Sequence, residues 1–194
     1  IGHGLNAAPE FIITKSRTAS NNWRVWTAVT GKNKYLGLNS SDSASSFSNF
    51  WSTSEPTSYT FGVWNATGAA NNDGNMVAYC FAPVEGYSAF GSYTGNGNSD
   101  GTFIYTGFKI AFLLIKESSG SDAWLIWDNA RQDYNAQGPY LQPQSNTTEG
   151  DADYLDFLSN GFKWRTTNGA MNASGSTYIY AAFAEHPFKT ARAR

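Results

Sequence analysis

The chain has 194 residues and a net charge of −2, with 41% hydrophobic, 16% aromatic and only 14% charged residues. Such a composition excludes a disordered segment, which could not bury enough apolar surface, and it lacks the basic footprint that nucleic acid requires. The aromatics, with abundant Gly, Asn, Ser and Thr in place of charges, point instead to strands joined by polar turns.

In chain order, Glu10-Phe11-Ile12-Ile13-Thr14-Lys15 is the first expected strand. Trp23 to Val29 is the second, with Trp23, Val25 and Val29 on one face at a period of two. Tyr35-Leu36 marks a third. Turn-rich stretches follow at Asn39 to Ser46 and Gly68 to Asn75, and Val77 to Ala82 closes the series. The face formed by Ala78, Cys80 and Ala82 is small enough for another backbone or sheet to approach. Gly86 to Gly101 reads as a linker, with a turn over Gly95 to Gly101. Beyond it come Ala111 to Lys116, Trp124 to Trp127 and Tyr140-Leu141. Asp151 to Leu158 makes at best one helical turn before an Asn160-Gly161 turn, and the chain closes with Ile179 to Ala184 after a turn at Asn168 to Ser176.

The two series coincide. An offset of 101 carries Phe11 onto Phe112, Lys15 onto Lys116, Trp23 onto Trp124 and Trp26 onto Trp127. Ile1 and Gly4-Leu5 fall on Ile104 and Gly107-Phe108 at 103, Tyr35-Leu36 on Tyr140-Leu141 at 105, and the closing strands on each other at 102. The fold class expected is therefore all-β: two diverged repeats of about 100 residues, residues 1–90 and 91–194, forming antiparallel β-sandwich units related as a pseudo-twofold duplication. Whether the repeats fold separately or close one shared core is open at this point.

Chemistry-bearing motifs are sparse, and no enzyme is expected. Glu85 and Glu185 follow the two closing strands, as duplication alone would place them, and Asp128 falls on Thr27 in the other copy. His3 and His186 stand far apart, and no nucleophile elbow or phosphate loop occurs. Cys80, inside an apolar strand, reads as inert packing, and one cysteine builds no disulfide framework. Asn96, Asn98 and Asp100 alternate before Gly101 and resemble a weak Ca²⁺ string, yet Gly107 stands where an EF-type loop needs an acid; a polar hairpin turn is the reading preferred, with no cofactor. Asn71-Asn72-Asp73-Gly74 reads the same way. Lys189, Arg192 and Arg194 form the one basic cluster, read as a solvated terminus. Trp23, Trp26, Trp124 and Trp127 recur between copies and are assigned to the core. Trp51, Trp64 and Trp164 lie in polar, turn-flanked sequence and are the candidate ligand-binding rings, against the alternative that they cover sandwich edges. No apolar run is long enough to cross a bilayer as a helix, so no membrane insertion is expected. Ile1 in place of a start methionine suggests a processed chain or a piece of a longer one.

Gly4 to Ile13, Asp156 to Phe162 and Thr177 to Ala184 together resemble a repeat in structural proteins of tailed, especially marine, bacteriophages. That family often carries laminin-G or concanavalin-like β-sandwich regions, and the resemblance spans nearly the whole chain. It implies a virion protein on the particle surface, with other virion proteins as partners and a homo-oligomeric state by analogy. The role expected first is a tail-fibre or tail-tip module contacting a host-surface glycan. The second is a capsid-decorating or other particle-stabilising protein, and the third a polysaccharide depolymerase.

Overall fold

In the computed structural model, which describes residues 1–64, 71 and 74–186, nearly all regular structure is extended. Among the described residues, helix is confined to α1 (Gly169–Asn172), a single turn that the Asn168 side chain caps by accepting from the Ala170 N–H. The chain divides into two compact units, Ile1–Pro83 and Val84–Arg194.

The first unit holds one antiparallel sheet. Its strands are β1 (Phe11–Ser16), β2 (Arg24–Thr27), β3 (Lys34–Gly37), β4 (Ser45–Ser46) and β5 (Met76–Phe81), in the order β4-β3-β2-β1-β5. Ile12 and Trp26 from the sheet pack with Phe50, Trp51 and Phe61 from the long β4–β5 connection, so a loop supplies the second layer. Trp51 anchors that loop by donating its Nε1–H to the Lys34 carbonyl at 2.8 Å, and Phe50 stacks on Tyr35 at 4.1 Å. Ile1 and Phe61 exchange both backbone hydrogen bonds at 2.9 Å.

The second unit is a β-sandwich. Its strands are β6 (Ser88–Thr94), β7 (Phe103–Tyr105), β8 (Ile110–Glu117), β9 (Leu125–Asp128), β10 (Gln137–Tyr140), β11 (Gly150–Leu158), β12 (Gly161–Trp164) and β13 (Thr177–Ala184). They form two four-stranded antiparallel sheets, β6-β13-β8-β9 and β10-β11-β12-β7. Alternation sends Leu113, Ile115, Tyr178 and Tyr180 from one sheet against Leu155, Phe157, Phe162 and Trp164 from the other. Tyr93 stacks on Tyr178 at 4.9 Å, and Trp127 meets Trp164 edge-on at 5.6 Å.

Pairing registers recur between the units. In the first, Ile12 lies opposite Trp26 on one side and Cys80 on the other; in the second, Leu113 lies opposite Trp127 and Ala182. Val25 pairs with Leu36 as Ile126 bridges to Leu141. Lys15 donates its ammonium to the Ser16 and Ala19 carbonyls, and Lys116 donates to those of Glu117 and Gly120, so each lysine caps the turn after its strand.

Several expectations need correction. The expected linker contains β6, a full strand of the second unit; its Gly91 leaves room for the Tyr180 ring, which a Cβ there would crowd at 3.0 Å. Asp151 to Leu158 is strand, not helix, since Leu155 and Phe157 point inward at a period of two. Trp23 is half-buried whereas Trp124 is fully buried, although each immediately precedes its strand. Val29 lies beyond the end of β2 and is exposed.

Candidate binding surfaces

The outer face of the β7-β12-β11 sheet carries exposed rings and paired charges. Alternation on β7 buries Ile104 and turns Phe103 and Tyr105 out together, at 43% and 66% exposure. Phe103 lies opposite Lys163, which lies opposite Asp156, so these three share that face. Tyr105 lies opposite Gly161, where a Cβ would strike the Ile104 carbonyl oxygen. Lys163 reaches Asp100 at 2.7 Å, and Arg165 joins Asp156 at 2.5 Å and Asp100 at 3.8 Å. The hydrogen bond from Lys163 holds the Asp100 carboxyl below the usual carboxylate range. Two exposed rings beside a string of charged donors and acceptors can stack on the C–H face of a sugar and bond its hydroxyls.

The tryptophans expected to bind ligand are distributed differently. Trp51 and Trp164 are buried in the cores of their units and unable to stack on a ligand without opening them; of the three, only Trp64 is exposed, at 46%. They look like surface residues in sequence because turns flank them, but the chain folds those turns inward. Phe103 and Tyr105 were missed, although Phe-Ile-Tyr is an alternating apolar run whose outer members face solvent when the strand lies at a sheet edge.

Asn96, Asn98 and Asp100 form the hairpin turn. The Asn96 Oδ1 accepts from the Asn98 N–H and from the Asn172 side chain, the Asn98 Oδ1 accepts from the Asp100 N–H, and Asp100 pairs with Lys163. Asn172, fully buried, ties this loop to α1. Among the described residues, no group of three or more His, Cys, Asp or Glu is placed to hold a metal ion. Asn72 and Asp73 of the second string, and Lys189, Arg192 and Arg194, lie outside the described residues.

Glu185 binds Lys109 at 2.8 Å, which holds its carboxyl below the usual range, and accepts from Asn129. Asp128 pairs with Arg131 at 2.7 Å. Around the buried Lys116, burial and then the neighbouring Glu117 carboxyl push Asp122 up. That lysine's ammonium is held by the turn carbonyls described above, which gives it a structural role.

In the first unit, Ile1, Gly2, His3, Phe61, Met76, Ala78 and Cys80 line an open cavity of about 360 Å³ beside β5. Cys80, half-buried, packs against the core of the first unit and also forms part of the cavity wall, and burial pushes its thiol up, away from thiolate reactivity. His3 accepts from the Leu5 N–H at Nδ1 and donates from Nε2 to the Thr57 carbonyl, so both ring nitrogens are engaged. No described helix is long and apolar enough to cross a membrane.

Comparison with known families matches residues 1–187 to a domain of unknown function, DUF7483. The chain belongs to this family. No curated protein and no solved structure matches it.

Proposed function

We propose that this DUF7483 chain is a non-catalytic module of a bacteriophage particle, of tail-fibre or tail-tip type, which contacts a host-surface glycan through the outer face of β7 and β12. The observation that carries this reading is the pair of outward rings, Phe103 and Tyr105, on a rigid strand beside Lys163, Arg165, Asp100 and Asp156. A sandwich holds such a face rigidly, so little conformational entropy is lost on binding. The sequence resemblance to phage structural repeats supplies the particle and the expected partners, other virion proteins and further copies of the chain. The recurring registers and lysine caps support a further reading, that the two units are diverged copies of one ancestral segment.

The test is glycan-array binding and host-cell adsorption by the full chain, compared with Phe103→Ala and Tyr105→Ala. The expected result is binding by the parent and at least tenfold loss in the double variant, with circular dichroism unchanged. Undiminished binding in that variant would contradict the assignment, and loss on Trp64→Ala alone would move the site to the first unit.

A second reading, a particle-stabilising or capsid-decorating protein, is favoured by the edge of β5 that pairs with no strand among the described residues, because an open strand edge pairs readily with a neighbouring chain. Copy number in purified particles separates the two: a few at a tail tip, or many on a shell.

A further inference from the structure

The cavity of the first unit lies where the second unit places a side chain. By register, β5 corresponds to β13, with Met76, Ala78 and Cys80 at the positions of Tyr178, Tyr180 and Ala182. Phe61, bonded to Ile1, corresponds to Phe162, which lies opposite Ile104. In the second unit Tyr93 of β6 is buried beside two of these positions: it stacks on Tyr178 at 4.9 Å and lies 6.1 Å from Phe162. In the first unit, the corresponding residues Ile1, Phe61, Met76, Ala78 and Cys80 line open space.

The backbone is open at the same place. An antiparallel residue points its N–H and C=O to one side, and Asn75 and Phe81 bond toward β1. Met76, Ala78 and Cys80 therefore point theirs to the far edge, where no strand pairs among the described residues. On β13 the matching residues, Tyr178, Tyr180 and Ala182, pair with Tyr93, Gly91 and Ala89.

We propose that the far edge of β5, with its cavity, receives an extended strand donated by a partner polypeptide, antiparallel to β5, with an aromatic ring opposite Met76 and small residues opposite Ala78 and Cys80. The pattern is that of β6, in which Tyr93 follows Gly91 and Ala89 at alternate positions. Main-chain bonds supply the pairing, and the cavity, lined largely by the apolar side chains of Ile1, Phe61, Met76, Ala78 and Cys80, selects the ring. The interaction is separate from the proposed glycan face, which lies on the second unit, so either can fail without the other.

The test uses the full chain and a synthetic peptide copying residues 87–97, with the same peptide bearing Tyr93→Ala as control. Saturating peptide should slow maleimide labelling of Cys80 at least tenfold and protect the Ala78 and Cys80 amides from hydrogen exchange, with 1:1 stoichiometry. The control peptide should bind at least tenfold more weakly. Ala78→Pro removes an edge-facing N–H that bonds no strand within the sheet; it should abolish binding while leaving the circular dichroism intact. If that variant fails to fold, the control peptide still decides. The proposal is overturned if the parent peptide gives no protection at millimolar concentration, or if it instead displaces β6, read as lost protection at Tyr180 and Ala182. It is equally overturned if Cys80 becomes protected without peptide as protein concentration rises, which would make a second copy the occupant.

Discussion

β5 and β13 keep the same register against the strand that joins each to the rest of its sheet, Cys80 opposite Ile12 and Ala182 opposite Leu113, yet they differ in what lies beyond them. Ala182 is fully buried between β8 and β6, while Cys80 is half-buried beside a cavity. A second sheet also covers the inner face of β13, where Tyr178 and Tyr180 meet Phe162 and Trp164; a loop stands in for that sheet in the first unit. Matching pairing thus ends in unlike burial because burial is set by the neighbours a strand acquires. Residue type follows: large rings occupy the closed site, and Met76 and Ala78 the open one.

The largest effect expected from this contrast is in the paired phenylalanines. Phe162→Ala leaves a hole in a closed core and should fall toward the upper end of about 3–5 kcal/mol, whereas Phe61→Ala, buried in its core but bordering the cavity, should fall toward the lower end. Urea denaturation of each variant checks the ranking, and equal costs would break the comparison. Next, Met76→Tyr places a ring in the cavity from within and should stabilise the chain by about 1 kcal/mol, as cavity filling commonly does. A destabilised Met76→Tyr would mean that the space is not available to an aromatic group.

A smaller effect concerns Asp122. Burial, more than any other cause, raises its carboxyl above the ordinary value of 3.8. A raised acid binds more protons folded than unfolded, so the stability it contributes is complete below that value and is lost as pH rises through the folded one. Asp122→Asn should therefore raise the thermal midpoint slightly at pH 7 and flatten the decline above pH 4. An unchanged pH profile would contradict the assignment. Smallest of all, Phe103→Ala and Tyr105→Ala should change stability by no more than about 0.5 kcal/mol, because both rings are exposed. A larger loss would mean that the rings support the sandwich instead of decorating it.

Much of this framework was legible in the sequence. The Phe and Lys positions and the Trp-x-x-Trp spacing located β1, β2, β8 and β9, because buried rings and a turn-capping lysine are set by local pairing. What escaped was fixed by contacts distant in sequence. β6 looked like a linker because its Gly91 leaves room for the Tyr180 ring nearly ninety residues away. β11 looked briefly helical because its acids lie on the solvent side of a strand whose Leu155 and Phe157 face another sheet. Trp51 and Trp164 looked exposed because local polarity does not reveal which way a turn folds, and Phe103 and Tyr105 were overlooked in a strand of only three residues.

The most direct test is amide hydrogen exchange of the free chain followed residue by residue by NMR. Met76, Ala78 and Cys80 should exchange rapidly through local opening, while Tyr178, Tyr180 and Ala182 exchange only with global unfolding of the second unit. Equal, strong protection on both strands would show that the edge of β5 is already closed, and would contradict the difference on which the account depends.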